Sequence, residues 1–226
     1  MQIFAEGWGT MTVPEIILLI LEIIGTVAFA VSGAFVAIKA NLDVFGVVFV
    51  GCITAVGGGI MRDLLVGHTP PQIFDDLYIL LIAALTAGAV FVIAFVMHRK
   101  FIGAYEKLEP IQNVFDAFGL AAFSIAGTEL AFVEGFSDNA VLAILLGLMT
   151  GVFGGVFRDV LTSTTPYIFK KHVYALASIA GATTYYVLRL TTKDTVIASS
   201  VAMAVVVVLR LLAAKYRWSL PKAQIS

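Results

Sequence analysis

One cysteine and three histidines are all that the 226 residues offer to soft metal ions or to disulfide chemistry. The lone Cys52 cannot close an intrachain disulfide. No histidine, cysteine and carboxylate fall at metal-ligand spacing, so neither a metal site nor a cofactor is expected. Charge is also scarce. Only 13% of the residues are charged, against about 25% in a soluble domain. The net charge of −1 gives no basic surface for nucleic acid. There is no Walker phosphate loop, no H-E-x-x-H and no G-x-S-x-G, so the chain is not expected to be an enzyme. The first fifteen residues carry Glu6 and Glu15 but no Lys or Arg. They lack the basic start of a signal peptide, and the first apolar helix is expected to serve as an uncleaved insertion signal.

What remains is apolar. The hydrophobic share is 60% and the mean hydropathy +1.00. A helix needs roughly 20 apolar residues to cross a bilayer. Seven such segments are expected, near 15–38, 44–66, 77–97, 111–132, 139–161, 172–190 and 194–214. Lysine and arginine gather on one side: Lys39, Arg99, Lys100 and Lys107 in the 98–110 loop, Lys170 and Lys171, then Lys215, Arg217 and Lys222. The opposite side carries Glu6, Glu15, Asp75, Asp76, Glu134 and Asp138 against Arg189 and Lys193. The positive-inside rule then places the N-terminus outside and the C-terminus in the cytoplasm, which requires an odd number of spans.

The charges inside the spans follow a duplication. Residues 54–66 read T-A-V-G-G-G-I-M-R-D-L-L-V and residues 150–162 read T-G-V-F-G-G-V-F-R-D-V-L-T, 96 residues later. The register pairs Thr54 with Thr150, Gly58 with Gly154, Gly59 with Gly155, Arg62 with Arg158, Asp63 with Asp159 and Tyr78 with Tyr174. Upstream, at an offset of 94, Glu22 pairs with Asp116, Gly25 with Gly119, Phe29 with Phe123 and Gly33 with Gly127. Each unit holds three spans, an odd number, so the two units must sit in the membrane with opposite orientation. The expected fold is all-α and polytopic: repeat one at 15–97, an inverted repeat two at 111–190, and a seventh helix at 194–214 without counterpart. In such architectures the site lies between the halves.

Helical spacing sorts the motif into faces. Gly51, Ala55, Gly59 and Asp63 form one stripe, and Gly147, Gly151, Gly155 and Asp159 its twin. These are small-residue faces that let another backbone approach. Thr54, Gly58 and Arg62 form the neighbouring stripe, with Thr150, Gly154 and Arg158 as twin. Each Arg and its adjacent Asp point about 100° apart. They are expected to be poorly placed to neutralise one another and to find partners on other helices. Glu22 and Asp116, or Asp63 and Asp159, are the candidates, paired crosswise or within a unit. The glycines 57–59 weaken their helix and favour a kink, as do Gly154 and Gly155.

Plainer readings stand beside these. The glycine stripes serve as packing seams in most membrane proteins. Arg62 and Arg158 lie towards helix ends, from which an arginine can snorkel to the interface. Glu129 reads as a helix-terminal charge, Ser32 and Ser124 as packing or backbone-capping residues, and His68 and His98 as loop residues. The run Lys170, Lys171 and His172 reads as a topology signal or as a contact with anionic lipid.

G-G-G-I-M-R-D-L-L at 57–65, its copy G-G-V-F-R-D-V-L at 154–161, the opening G-T-V-A-F-A-V-S-G at 25–33 and the three-plus-three-plus-one layout resemble the prokaryotic TRIC channels. These are relatives of the trimeric intracellular cation channels, a group also labelled as a glycine-transporter domain. The resemblance covers about residues 15–214. It implies a homotrimer in the prokaryotic cell membrane with one pore per subunit, conducting K⁺ with Na⁺ as a second ion. Kinked second and fifth helices would line that pore. The ion path would then hold Arg62, Asp63, Arg158, Asp159, Glu22, Asp116, Thr54 and Thr150, and Gly57, Gly58, Gly59, Gly154 and Gly155 would bend the lining helices. On that reading Arg158→Ala should alter conductance and leave assembly intact. Inverted repeats with broken helices also serve secondary transporters, so uptake of glycine or another small solute is the competing expectation. A structural or lipid-binding role without transport is the third.

Overall fold

The computed structural model describes residues 12–75, 77–170 and 173–218, with the backbone alone at 98–109 and 170. Seven long helices follow one another: α1 Val13–Lys39, α2 Val44–Val66, α3 Leu77–Val96, α4 His98–Val133, α5 Ala140–Leu161, α6 Val173–Thr192 and α7 Thr195–Tyr216. A 3₁₀ turn at Gln72–Phe74 and one turn of α-helix at Tyr167–Lys170 lie in the loops after α2 and α5.

Side-chain caps set where several helices begin. Glu15 accepts hydrogen bonds from the Thr12 N–H at 2.7 Å and its hydroxyl at 2.9 Å, starting α1. Asp43 accepts from Gly46 N at 2.8 Å before α2, and Asn139 from Leu142 N at 3.0 Å before α5. Asp194 accepts from Val196 N and Ile197 N, so α7 starts within a few residues of the end of α6. Each cap satisfies N–H groups that the first helical turn leaves open. Gly67 ends α2 in the left-handed region at φ 83°, where a side chain would be strained.

Among the described residues six helices are long and apolar enough to cross a membrane: α1, α2, α3, the Pro110–Val133 part of α4, α5 and α7. The remaining long helix, α6, has 20 residues but carries Tyr174, Ser178, Tyr185 and Tyr186 on its buried face. Its polarity therefore points inward. The loop expected at 98–110 is helical instead, because α4 begins at His98 and carries Pro110 within it. The polar residues there, mostly good helix formers, mark an exit from apolar surroundings and not a break in the helix. The side chains of His98, Arg99, Lys100 and Lys107, the Lys170–His172 run, Glu6, Asp76 and Lys222 lie outside the described residues.

The bundle is built around two contacts between the repeats. Phe29 of α1 and Phe123 of α4 pack at 5.3 Å between ring centroids, tilted by 59°. Each ring occupies the space beside the partner unit's glycine, Phe123 against Gly25 and Phe29 against Gly119. Below them α2 crosses α5. A Cβ on Gly58 would meet the carbonyl of Thr150, and a Cβ on Gly154 would meet the carbonyl of Thr54. Exchanging every residue for its repeat counterpart returns the same two contacts, and the pairs Thr54–Gly154 and Gly58–Thr150 run antiparallel. The outward faces are apolar, with Phe45, Leu85, Phe95 and Val141 each more than 70% exposed.

Candidate functional site

Arg62 and Arg158 each stand four residues beyond the glycine at the crossing, on antiparallel helices. They therefore lie on opposite sides of it. Their surroundings differ.

On the first side a cavity of about 40 Å³, with charged and apolar groups in its lining, opens between α1, α2 and the loop after α2. Its lining includes Glu22, Thr26, Gly59, Arg62, Asp63 and Gln72, with Phe123 and Thr150 of the second unit at its floor. Glu22 accepts a hydrogen bond from the Tyr78 hydroxyl at 3.2 Å. Arg62, 15% exposed, donates from Nε and Nη2 to Asp63 Oδ1 at 2.9 and 2.7 Å. The other carboxylate oxygen of Asp63 accepts from Gln72 N at 2.9 Å, which ties the loop to the end of the helix. The cavity is large enough to hold water.

On the second side the equivalent groups are sealed. Arg158 is fully buried. It donates from Nη1 to Asp116 Oδ1 at 2.7 Å and to Ser32 Oγ at 2.6 Å, and from Nε to Asp159 Oδ1 at 2.8 Å. The second oxygen of Asp159 accepts from Tyr167 N at 2.8 Å, repeating the role of Asp63. Arg210 of α7 reaches the other oxygen of Asp116 at 3.4 Å and lies over the Tyr174 ring at 4.5 Å. A buried ion needs both a counter-ion and hydrogen bonds to offset its lost hydration. Here two guanidiniums share two carboxylates.

The expectation that an Arg and its adjacent Asp cannot neutralise one another is corrected in both copies. The 100° separation holds for the Cβ directions, but an arginine is long enough to fold its guanidinium round the helix surface. Each Asp is fixed by a loop N–H and cannot turn away. The expected partner on another helix is also present for Arg158, which bonds Asp116 within its own unit.

Thr54 and Thr150 stand at the crossing, with their hydroxyls turned back onto Val50 O and Leu146 O at 2.6 Å. Only Thr150 lines the cavity. The helix α2 runs unbroken through Gly57, Gly58 and Gly59. Gly57 makes room for Phe157 of the facing helix, Gly58 for the Thr150 carbonyl, and Gly59 faces Arg62 at 3.9 Å. The closest approach between the units thus uses the Thr-Gly-Arg stripe. The other stripe packs within its own unit, Gly51 against Ala87 and Gly151 against Leu120. In the second copy Gly154 meets the Thr54 carbonyl and Gly155 the Tyr174 hydroxyl.

Two plainer readings are also corrected. Ser32 is not a packing residue, since it bonds Arg158. Glu129 is not a helix-end charge at the surface. It is buried, accepts from Tyr185 Oη at 2.8 Å and pairs with Arg189 at 3.2 Å. Ser124 bonds Ser178 across α4 and α6 at 2.6 Å, and His68 lies in its loop 3.5 Å from Glu134. Sequence reasoning missed Thr26 and Arg210. The signal for Arg210 was present as one charge in V-V-V-V-L-R-L-L at 205–212.

Comparison with known proteins supports the same partition. The family described as Glycine transporter matches residues 19–96 and again 113–190. The inner membrane protein YadS of Escherichia coli is 36% identical over 205 residues, covering 89% of this chain and 93% of its own. The membrane protein YvgT of Bacillus subtilis is 33% identical, covering 89% and 94%. Among solved structures, a prokaryotic TRIC channel determined in 0.5 M KCl superposes with a TM-score of 0.79 at 33% identity, covering 91% of this chain and 99% of its own. The TRIC trimeric intracellular cation channel orthologue from Rhodobacter sphaeroides gives 0.78 at 28% identity, covering 89% and 98%. With several apolar helices and an inner membrane protein among its relatives, the chain is a multi-pass membrane protein. It belongs to the family described as Glycine transporter and has the fold of the prokaryotic TRIC cation channels.

Proposed function

We propose that this protein is a monovalent cation channel of the cell membrane that conducts K⁺, with Na⁺ as a second permeant ion. The functional unit is a homotrimer with one path in each subunit. The path runs between repeat one at 15–97 and repeat two at 111–190, which have opposite orientations, and passes the crossing of α2 and α5. In this reading α6 is a membrane span and α7 the seventh. The N-terminus lies outside and the C-terminus in the cytoplasm.

The observation that carries the reading is the cavity between the units whose charged groups are Glu22, Arg62 and Asp63 and whose floor includes Thr150. Its described charged groups sum to one negative charge, which favours a cation over an anion. The close glycine contacts at the crossing form the constriction beneath it. A change in the bend of α2 at Gly57–Gly59 and of α5 at Gly154–Gly155 would open or close that point. The similarity to cation channels supports the same conclusion.

Secondary transport of glycine is the second reading, favoured by the family's description and by Arg62 and Glu22, which could meet a carboxylate and an ammonium. Planar-bilayer recording of the purified protein under a K⁺ gradient tests the two. Unitary currents reversing near the K⁺ potential are expected. Saturable glycine uptake without unitary currents would overturn the channel reading.

A further inference from the structure

The two charged sites are built from matched residues. Asp116 stands at the repeat position of Glu22, Arg158 at that of Arg62 and Asp159 at that of Asp63. The first set borders a cavity, and the formal charges of its three residues sum to one negative. The second set would carry the same excess, but Arg210 removes it. That residue comes from α7, the helix outside the repeat, and it is 2% exposed.

Arg158 is the tightly held arginine of the pair, with short bonds to Asp116, Asp159 and Ser32. Arg210 is held loosely. Its bond to Asp116 is 3.4 Å long, its Nε has no partner among the described residues, and its remaining contact is the face of Tyr174. It is therefore the group that can leave Asp116 at the least cost. A buried site with no net charge gives an entering cation nothing to offset its lost hydration, whereas an unpaired carboxylate does.

We propose that Arg210 is a selectivity-determining and positioning residue. By neutralising Asp116 it raises the barrier to cations at the second charged site, so the two ends of the path are unequal and the current rectifies. The proposal rests on the cation-channel reading.

The test is bilayer recording of four proteins in KCl: wild type, Arg210→Lys, Arg210→Met, and Arg210→Met combined with Asp116→Asn. Wild type should rectify. Arg210→Met leaves the cluster one charge negative and should raise cation conductance several-fold while abolishing rectification. Arg210→Lys keeps the charge and should behave as wild type. The double variant is neutral again and should return towards wild-type conductance although it has lost more bonds. A double variant more disturbed than the single one would assign Arg210 a packing role and overturn the proposal. Should Arg210→Met fail to yield a monodisperse protein, Asp116→Asn alone makes the cluster one charge positive. It should lower cation conductance, and an unchanged conductance there would equally overturn the idea. A wild-type protein that passes no cation current removes the channel reading, and the proposal with it. A conducting wild type with an indifferent Arg210 removes the proposal alone.

Discussion

Gly58 lies directly against the main-chain carbonyl of Thr150, in a space that no side chain could share. The mirrored contact joins Gly154 to Thr54. A methyl at either glycine must push two backbones apart, which in a packed interior costs about 1–3 kcal/mol. Gly58→Ala and Gly154→Ala should therefore lower the thermal midpoint of the purified protein. Gly59→Ala is the internal control. Its nearest neighbour is a flexible guanidinium nitrogen at 3.9 Å, and the gain in helix propensity of up to about 1 kcal/mol should leave the protein as stable or more so. Equal losses from all three would refute the close-contact argument.

The two arginines of the motif should respond very differently to truncation. Arg158→Ala takes from buried Asp159 its guanidinium partner and leaves Asp116 with the long 3.4 Å contact to Arg210, and breaking such a buried pair costs about 3–5 kcal/mol. The full burial of Arg158 reverses the expectation drawn from resemblance that assembly stays intact: assembly itself should suffer, seen as loss of a monodisperse peak in size-exclusion chromatography. Arg62 borders the cavity and has one ion-pair partner at 2.7 Å, so Arg62→Ala should retain the fold. Its effect should appear as altered conductance. A robust Arg158→Ala protein beside a collapsed Arg62→Ala protein would reverse the assignment.

Glu129 joins α4 to α6 through Tyr185 and Arg189 and is not among the residues that line the cavity. Glu129→Ala leaves the Tyr185 hydroxyl without this acceptor, at about 1–3 kcal/mol for a buried polar group. Thermal stability should fall while single-channel conductance in the surviving protein stays as in wild type. A changed conductance at normal stability would place Glu129 in the ion path.

Asp63 and Asp159 each hold an arginine with one oxygen and a loop N–H with the other. Asp63→Asn can keep a single acceptor oxygen, so either the loop or Arg62 loses its bond. The expected result is faster amide hydrogen exchange at Gln72 together with lower cation conductance, because the cavity loses its excess negative charge. Unchanged exchange at Gln72 would show that the loop is held by other contacts.

The apolar spans and the doubled motif were legible in the residues, and Asp116 stood among the candidate partners, but the pairing itself and the helix through 98–110 were not. Apolar length and doubled motifs are local signals, and they survive folding unchanged. The pairing of each Arg with its own Asp was not legible, because Cβ geometry ignores how far a guanidinium reaches. Nor was the difference between the two sites. Arg62 and Arg158 read alike in the chain, and only the fold brings Ser32, Asp116 and Tyr167 round Arg158 while Arg62 stays beside a cavity. Glu129 looked superficial for a related reason: its position near the end of a helix says nothing of Tyr185 and Arg189 closing over it.

The reciprocal contacts at the crossing carry a historical implication. Since Thr54 meets Gly154 as Thr150 meets Gly58, two identical three-helix chains inserted head to tail could make the same seam. An ancestral antiparallel dimer would meet the packing demand without any fusion. Joining the units in one chain released each copy from having to suit both positions at once. Phe153 where the first copy has Gly57, and a seventh helix that attends to only one carboxylate, mark where that release has been used.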